Sequence, residues 1–481
     1  MSEKEQGRRE GSLEAPQRHP LGWKEPDFYD ESLLFQELDR VFEICHGCRR
    51  CFSLCNAFPT LFDAIDESST MELDGVDKGS VYWQVADHCY LCDMCFMTKC
   101  PYVPPHAFNV DFPHLMLRAK AVKLRTAGAR MRDNVLSATD AVGRLASIPV
   151  VAPVVNKTNR SAAGRKVLEK VLGVDSDAVL PTYHSDTLRR RVRGRAIPVE
   201  PGEPTDETRG RAALFTTCYG NYNEPALGQD LLAVFEHNGI ATRLVPKERC
   251  CGMPKLELGD LEAVERAKQA NIPMLAALVR EGWDIVAPIP SCVLMFKQEL
   301  PLMFPNEAEV ELVRDTIFDP FEYLMLRHKA GKLKLDFKHS LGKVAYHAAC
   351  HLRVQNIGYK TRELLELVPD TQVELIERCS GHNGTYAVKK EFHAISMKIG
   401  RPVVSRVQSA EPDHYSSDCP LAASGLRHLI PMLGARRAIG ILESTVKGSR
   451  AATFSFSALP VPAYIPGDPS WRFRSWSWLT A

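Results

Sequence analysis

The sequence predicts an α+β protein of several domains, in which a helical N-terminal domain precedes two α/β units in tandem. Three observations support this prediction. The chain has 481 residues, more than one hydrophobic core ordinarily organises. Eight of its 15 cysteines fall in a short N-terminal region whose apolar residues recur at helical spacing. The other seven follow strand-like runs that occur twice, about 130 residues apart.

The composition limits the possible partners and compartments. A formal net charge of +1 gives no overall electrostatic reason to bind nucleic acid, and none is expected as a partner. The chain has no run of 18 apolar residues and no apolar secretory signal at its polar N-terminus, so we expect a cytoplasmic protein. A peripheral position on the inner face of the cell membrane is the alternative. In a reducing compartment, this many cysteines indicate metal or redox sites rather than disulfides.

Two cysteine motifs dominate the N-terminal region. The segment ICHGCRRCFSLC reads C-x2-C-x2-C-x3-C, and CYLCDMCFMTKCP reads C-x2-C-x2-C-x4-C-P. In two-cluster ferredoxins, the first three cysteines of such a motif ligate one [4Fe–4S] cluster and the fourth ligates the other. We therefore predict two [4Fe–4S] clusters with crossed ligand sets: site 1, formed by Cys45, Cys48, Cys51 and Cys100, and site 2, formed by Cys89, Cys92, Cys95 and Cys55. A pair of zinc sites is the alternative, although zinc ribbons use paired knuckles rather than triplets.

The surroundings of these motifs predict an α-helical, ferredoxin-like domain. The segments LLFQELDRVFEI before Cys45 and DFPHLMLRAKAVKL after Cys100 carry apolar residues at spacings of three and four. We place this domain at residues 31–125, after a flexible N-terminus at residues 1–30.

The remaining cysteines mark an internal repeat. Each copy reads as strand, helix, strand, helix, strand, which predicts two Rossmann-like α/β units at residues 209–335 and 336–440. Ligands of open α/β sheets collect outside the carboxyl ends of the strands, where the pattern places these cysteines. We call the two groups site 3, formed by Cys218, Cys250, Cys251 and Cys292, and site 4, formed by Cys350, Cys379 and Cys419.

The order C…CCG…C in the first copy resembles the cysteine-rich CCG domain of heterodisulfide reductase catalytic subunits. The chain as a whole resembles a family of iron–sulfur subunits of anaerobic glycerol-3-phosphate dehydrogenase, in particular through ICHGCRRC, CYLCDMCFMTKCPYVPPH and CSGHNGTYAVKKE. This resemblance implies an iron–sulfur electron-transfer subunit rather than a stand-alone catalyst. It implies a flavin dehydrogenase or a rubrerythrin-type peroxide-reducing system as partner, and an acceptor such as quinone. No residue is assigned a catalytic role.

The chain departs from the CCG pattern in both copies. Met295 replaces the fifth cysteine of the first copy, so site 3 retains four thiols that could hold a third iron–sulfur cluster. A heterodisulfide-reductase-like enzyme acting on a disulfide or thiol substrate at site 3 is the alternative function. Ser380 replaces one cysteine of the pair in the second copy. We therefore expect site 4 to be structural, redox-silent or a plain thiol site, although His347, His351 and His382 lie near it in sequence.

Two segments carry no cysteine. Residues 126–208 are basic and are predicted to form a helical linker with a solvated face. Docking of this linker to an acidic partner or to anionic lipid is the alternative. Residues 441–481 change in composition to Ser, Pro, Trp and Arg without helical or strand periodicity, and we expect a disordered tail.

Overall fold

The computed structural model describes residues 12, 14–195, 202–337 and 339–429. The predicted tail at residues 441–481, and residues 430–440 of the second unit, lie outside these residues. The N-terminal region is helical. Its α-helices are α1 (Glu31–Cys48), α2 (Ala57–Asp66), α3 (Lys78–His88), α4 (Met94–Thr98) and α5 (Phe112–Ala127), with short 3₁₀ helices at Pro26–Tyr29 and Leu73–Gly75. Aspartates begin the two long helices: the side chain of Asp30 accepts from the amide of Leu33, and that of Asp111 from the amide of His114.

Within residues 14–30, several side chains are packed against the rest of the protein. Trp23 is buried, and its indole Nε1 donates to the carbonyl of Met303 at 3.0 Å. The guanidinium of Arg18 donates to Asp93 at 2.8 Å and to Asp111 at 2.9 Å. A buried guanidinium is stable only when it is paired in this way. The polar composition of the segment therefore reflects buried ion pairs as well as solvent exposure.

Short helices form the basic segment that follows. They are α6 (Met131–Ser137), α7 (Thr139–Ala146), α8 (Ala152–Arg160), α9 (Ala162–Leu172) and α10 (Leu188–Arg191). Several apolar side chains of this segment face solvent, including Leu145, Val150, Val154, Val167 and Val171, and Val150 is 78% exposed. These aliphatic side chains are exposed one by one along the segment, between basic residues.

The third region contains a parallel sheet with the strand order β2-β1-β3-β4. Its elements are β1 (Arg211–Leu214), α11 (Cys218–Tyr222), α12 (Pro225–His237), β2 (Ala241–Leu244), α13 (Met253–Leu258), α14 (Leu261–Arg280), β3 (Asp284–Val286), α15 (Pro290–Leu294), α16 (Leu300–Met303), α17 (Ala308–Arg314), β4 (Ile317–Phe318) and α18 (Pro320–Lys329). A π-helical turn at Met295–Glu299 joins α15 to α16. The strand β1 lies between β2 and β3, so the chain reverses its direction of winding at the carboxyl end of β1.

A second parallel sheet follows, with the strand order β6-β5-β7. Its elements are β5 (Gly342–His347), α19 (Cys350–Arg353), α20 (Lys360–Glu366), β6 (Thr371–Ile376), a 3₁₀ helix (Tyr386–Val388), α21 (His393–Ala410), β7 (His414–Ser417) and α22 (Pro420–Leu429). The strand β5 pairs with β6 on one side and with β7 on the other. The reversal of winding thus recurs at the carboxyl end of β5.

The hydrophobic core is continuous between the N-terminal helices and the first sheet. One cluster of buried side chains includes Phe42 and Phe112 of the helical region together with Ile285 and Phe296 of the first α/β unit. The two regions therefore pack as one body. Separate, smaller clusters lie on the two faces of the second sheet. Among the described helices, none combines the length and apolar character needed to cross a bilayer.

Candidate metal centres

Site 1 forms where α1 ends. Cys45 and Cys48 occupy its last turn, and Arg49 adopts a left-handed conformation with φ of 51° that ends the helix and turns the chain toward Cys51. Cys100 comes to this group from the second motif. Burial, together with the neighbouring thiols Cys100, Cys51 and Cys48, raises the pKa of Cys45 well above its usual value.

Site 2 forms between α3 and α4. Positive φ values at Leu91 and Asp93 bend the chain sharply on both sides of Cys92. Burial raises the pKa of Cys95, with further contributions from Cys51, Cys92, Cys89 and Cys55. The structure therefore brings Cys55 of the first motif to the triplet of the second.

A cation missed by the sequence reasoning lies beside site 2. The ammonium Nζ of Lys120, on α5, donates to the carbonyl of Cys89 at 2.6 Å. Burial raises the pKa of the Cys89 thiol, and the charge of Lys120 partly opposes that rise. Such a cation would favour extra negative charge at site 2. Lys120 is one of several basic residues on a helix, so its sequence position carried no distinguishing signal.

Site 3 brings four thiols together at the carboxyl ends of β1, β2 and β3. Cys218 lies beside Cys250, Cys250 beside Cys251, and Cys251 beside Cys292. Hydrogen bonds from Cys218 and then from Cys251 lower the pKa of Cys250 well below its usual value, although burial acts in the opposite direction. Cys251 and Cys292 are buried, so these thiols are shielded from solvent.

The basic segment contributes to site 3, although it contains no cysteine that would have suggested this. The hydroxyl of Thr139 donates to Cys250 Sγ at 3.3 Å, and the carboxylate of Asp140 accepts from the amide of Cys250 at 2.6 Å. A Cβ atom on Gly143 would lie 2.2 Å from the ring of Tyr222, so only glycine allows α7 to pack this closely. A glycine inside a short helix was the one available signal.

Met295 is buried beside site 3. If Gly252, the residue that follows Cys251, carried a Cβ atom, that atom would lie 3.6 Å from Cε of Met295. The thioether therefore fills space next to the adjacent cysteine pair. A methionine sulfur is a weak acceptor and cannot supply the charge of a thiolate.

Site 4 brings its three cysteines together beyond β5, β6 and β7. Burial, and then Cys379 and Cys419, raise the pKa of Cys350. Burial also raises the pKa of Cys419 to about 11. The loop after Cys379 is tightly constrained, because Gly381 has φ of +72° and a Cβ atom there would meet the carbonyl oxygen of Ser396 at 2.1 Å.

The three histidines near site 4 have different surroundings. His347 is fully engaged: its Nδ1 bonds to Ser417 Oγ and its Nε2 to the carbonyl of Arg378, both at 2.9 Å. Nδ1 of His351 bonds to Ser291 Oγ at 2.7 Å. Burial lowers the pKa of both His347 and His382 to about 4, so these imidazoles are neutral at neutral pH.

The four sites lie in the spatial order 1, 2, 4, 3. Cys51 of site 1 is close enough to Cys95 of site 2 to raise its pKa, an effect added to that of burial. The pKa of Cys92 is raised by burial and then most strongly by Cys350 of site 4. Cys292 of site 3 likewise contributes to the raised pKa of Cys419. Cysteines of the second copy of the repeat therefore lie next to site 2.

An aromatic cluster joins site 2 to site 4. The hydroxyl of Tyr386 bonds to Nδ1 of His88 at 2.8 Å, and the rings of Tyr90 and Tyr386 are 4.6 Å apart. Phe392 stacks on Tyr386 at 4.5 Å. His88 and Tyr90 flank Cys89, and Tyr386 lies shortly after Cys379, so this contact fixes the two sites relative to each other.

The donor sets fit iron–sulfur clusters in their chemistry. Sites 1 and 2 each offer four thiols, which is the protein ligand set of a [4Fe–4S] cluster. Burial favours the protonated thiol in the metal-free chain, and a bound cation would favour the thiolate. Within the described residues, no three cysteine, histidine, aspartate or glutamate side chains converge closely enough to hold a single metal ion.

Comparison with known proteins identifies the family. The cysteine-rich domain family CCG matches residues 212–297 and 344–422, the two segments that contain sites 3 and 4. A subunit of anaerobic glycerol-3-phosphate dehydrogenase from Escherichia coli (strain K12) is 30% identical over 313 residues, which are 65% of this chain and 76% of that protein. The chain belongs to this CCG family.

Other relatives of this CCG protein match smaller parts of it. A subunit of fumarate reductase (CoM/CoB) from Methanothermobacter marburgensis is 27% identical over 240 residues, 48% of this chain and 45% of that protein. Lactate utilization protein A from Shouchella clausii is 26% identical over 217 residues, 43% of this chain and 86% of that protein. Relatives named as subunits of a dehydrogenase and a reductase support an electron-transfer role with a redox partner, and the family resemblance seen in the sequence is confirmed.

Proposed function

We propose that this chain is an iron–sulfur electron-transfer subunit that carries electrons between a partner oxidoreductase and an acceptor such as quinone. The spatial order of the four thiol groups is the observation that carries this proposal. Each group influences the pKa of a cysteine in the next one, so neighbouring groups are close together in a buried environment. Outer-sphere electron transfer needs short distances and tuned potentials, and no acid–base residue.

In this proposal, Cys45, Cys48, Cys51 and Cys100 hold one [4Fe–4S] cluster, and Cys55, Cys89, Cys92 and Cys95 hold the second. The helical region is then a two-cluster, ferredoxin-like domain, and the two parallel sheets are Rossmann-like CCG units. The four thiols of site 3 hold a third iron–sulfur group, which is supported by their closeness to one another at three strand ends. Such groups supply reversible one-electron storage, and the protein supplies the ligands, the burial and the spacing.

The donor side of the proposal is a flavin dehydrogenase or a rubrerythrin-type peroxide-reducing protein. Support comes from the relative that is named as a subunit of a glycerol-3-phosphate dehydrogenase. We propose a cytoplasmic protein that contacts the inner face of the membrane through the basic segment. There Val150 and Val154 are exposed, and the exposed cations Lys157, Arg160 and Lys166 lie nearby in sequence.

Sedimentation with anionic vesicles tests the membrane contact. The full chain should sediment with vesicles that contain phosphatidylglycerol and not with phosphatidylcholine vesicles alone. Val150→Glu combined with Val154→Glu should reduce binding at least about tenfold, because two charges would enter the apolar interface. Val179→Glu provides a control at another exposed valine of the same segment. Equal binding of all variants would contradict this contact.

The competing function is a reductase that cleaves a disulfide substrate at site 3. Met295 disfavours it, because the buried thioether replaces the fifth cysteine of the family pattern next to the Cys250–Cys251 pair. Anaerobic reduction of the isolated full chain, followed by mixing with a water-soluble quinone or with a disulfide, separates the two functions. The relay predicts rapid reoxidation by the quinone and no repeated turnover of the disulfide. Sustained disulfide turnover by the isolated chain would favour the reductase.

A further inference from the structure

One side of site 3 is formed by the basic segment, which lies outside both CCG matches. The first match begins at residue 212, whereas α7 covers Thr139–Ala146. The hydroxyl of Thr139 donates to Sγ of Cys250 at 3.3 Å, and Cys218 lies beside the same hydroxyl. These two cysteines follow β1 and β2 in the chain. Thr139 is therefore next to thiols that come from the ends of two different strands.

The backbone of Cys250 is held from two directions. The carboxylate of Asp140 accepts from its amide at 2.6 Å, and Nδ2 of Asn271 donates to its carbonyl at 3.2 Å. Asn271 is fully buried, and its Oδ1 accepts from the amide of Arg249 at 2.9 Å. Breaking such contacts would leave buried polar groups unpaired, which is costly. The sulfur of Cys250 is therefore held in place beside the hydroxyl of Thr139.

The helix that carries Thr139 is also fixed against site 3. A Cβ atom on Gly143 of α7 would lie 2.2 Å from the ring of Tyr222. Tyr222 is the last residue of α11, the short helix that begins at Cys218. Thr139 is the first residue of α7, so this close helix packing decides where its hydroxyl lies. The hydrogen bond to Cys250 is thus a consequence of how the basic segment packs on the first CCG unit.

A hydroxyl that donates to a ligand sulfur affects how readily an iron–sulfur group is reduced. Reduction adds one negative charge, which the cluster shares with its thiolate ligands. A hydrogen bond donated to a ligand sulfur stabilises that added charge, and hydrogen bonds to charged acceptors are stronger than those between neutral groups. The hydroxyl therefore favours the reduced state and raises the reduction potential.

We propose that Thr139 is a positioning residue of site 3, which raises the reduction potential of the iron–sulfur group there through its hydrogen bond to Cys250. This inference rests on the proposed third iron–sulfur group. It goes beyond that proposal because the potential of a CCG site is set by a residue outside the CCG unit. The basic segment is then a functional part of site 3 and more than a connection between two domains.

Reductive titration of the anaerobically purified full chain, followed by EPR, tests this role. Thr139→Val keeps the branched shape and removes only the hydroxyl. Reduction of site 3 should become about tenfold less favourable, which is a fall of about 59 mV for one electron. Iron and sulfide should not change, because every thiol is retained. Thr139→Ser retains the hydroxyl and should keep the potential close to that of the unaltered protein.

A second threonine of the same segment provides the matched control. The hydroxyl of Thr158 donates to the carbonyl of Val154 at 3.0 Å, so Thr158→Val removes a hydroxyl that donates to the backbone. Its site 3 potential should be unchanged, and all variants should keep the signals of sites 1 and 2.

An unchanged potential in Thr139→Val, or an equal fall in Thr158→Val, would overturn the role of Thr139. If the unaltered protein carries iron at sites 1 and 2 but none at site 3, the third group and this inference both fail, whereas the relay through sites 1 and 2 stands.

Discussion

The two pairs of cysteine sites are built in opposite ways. Sites 1 and 2 exchange cysteines: the thiol of Cys100 from the second motif lies with site 1, and that of Cys55 from the first motif lies with site 2. Sites 3 and 4 exchange nothing, because each is assembled at three strand ends of its own sheet. Because of this exchange, each N-terminal site depends on cysteines of both motifs. The loss of a cysteine from one motif therefore cannot be compensated within that motif. Separate assembly lets one CCG copy retain an adjacent cysteine pair while the other has Ser380 in that position.

The crossed arrangement gives the largest expected effects. Cys51→Ser and Cys55→Ser change neighbouring residues of one motif, and each should cost about four iron atoms per chain. Cys55→Ser should remove the same EPR signal as Cys92→Ser, whereas Cys51→Ser should remove the same signal as Cys100→Ser. Ser53→Ala lies between them, keeps all thiols and should retain both signals. Loss of one common signal in Cys51→Ser and Cys55→Ser would show that the motifs are not crossed.

Because each CCG copy assembles its own site, a cysteine substitution in one copy should remove iron from that copy only. Cys250→Ser should remove about four iron atoms from site 3 and leave the signals of sites 1 and 2 in place. Met295→Leu conserves volume and every thiol, so its iron content should equal that of the unaltered protein. Iron and sulfide analysis with EPR checks both variants. If the Cys250→Ser protein retains all its iron, Cys250 does not hold iron at site 3.

The aromatic contact between the helical region and the second copy joins site 2, which shares cysteines between motifs, to site 4, which does not. Tyr386→Ala should destabilise the protein by about 3 kcal/mol through the loss of a buried ring. Tyr386→Phe keeps the ring, loses only the bond to His88, and should cost about 1 kcal/mol. Thermal unfolding under anaerobic conditions measures both. Equal destabilisation by the two variants would mean that ring packing is not what joins the regions.

The smallest expected effect is a pH dependence at the interface between α5 and the first CCG copy. Burial and the nearby charge of Arg18 lower the pKa of His114, but Asp111 and Glu299 outweigh both, and the folded-state pKa is raised above the usual 6.5. A raised pKa contributes stability that is fully present below 6.5 and is lost as pH rises through the folded-state value.

Unfolding temperatures measured across this pH range should therefore fall with rising pH in the unaltered protein. His114→Gln should reduce this slope, because glutamine does not titrate, while His19→Gln, at an exposed histidine, should keep it. An unchanged slope in His114→Gln would exclude His114 as its origin.

The sequence predicted those features that depend on local patterns. The strand-like run before each CCG cysteine placed Cys350, Cys379 and Cys419 at strand ends, because an alternation of apolar residues followed by a polar loop is a short-range signal. The helices around the N-terminal motifs were predicted for the same reason. The bounds of the units, at residues 125, 208 and 335, remain predictions.

The features that the sequence missed depend on distant pairings. Arg18 is buried because it meets Asp93 and Asp111, partners 75 and 93 residues away that composition alone cannot reveal. Thr139 and Asp140 reach Cys250 from a segment that contains no cysteine of its own. The order of the sites, with the second copy next to the helical region, is set by packing between units.

Reductive titration of the anaerobically purified full chain, followed by EPR with iron and sulfide counted on the same sample, tests the relay most directly. An electron relay predicts at least about eight iron atoms with matching sulfide, and signals from sites 1 and 2 that are split by mutual magnetic coupling and disappear on reoxidation. Zinc without sulfide, or clusters that cannot be reversibly reduced, would contradict it.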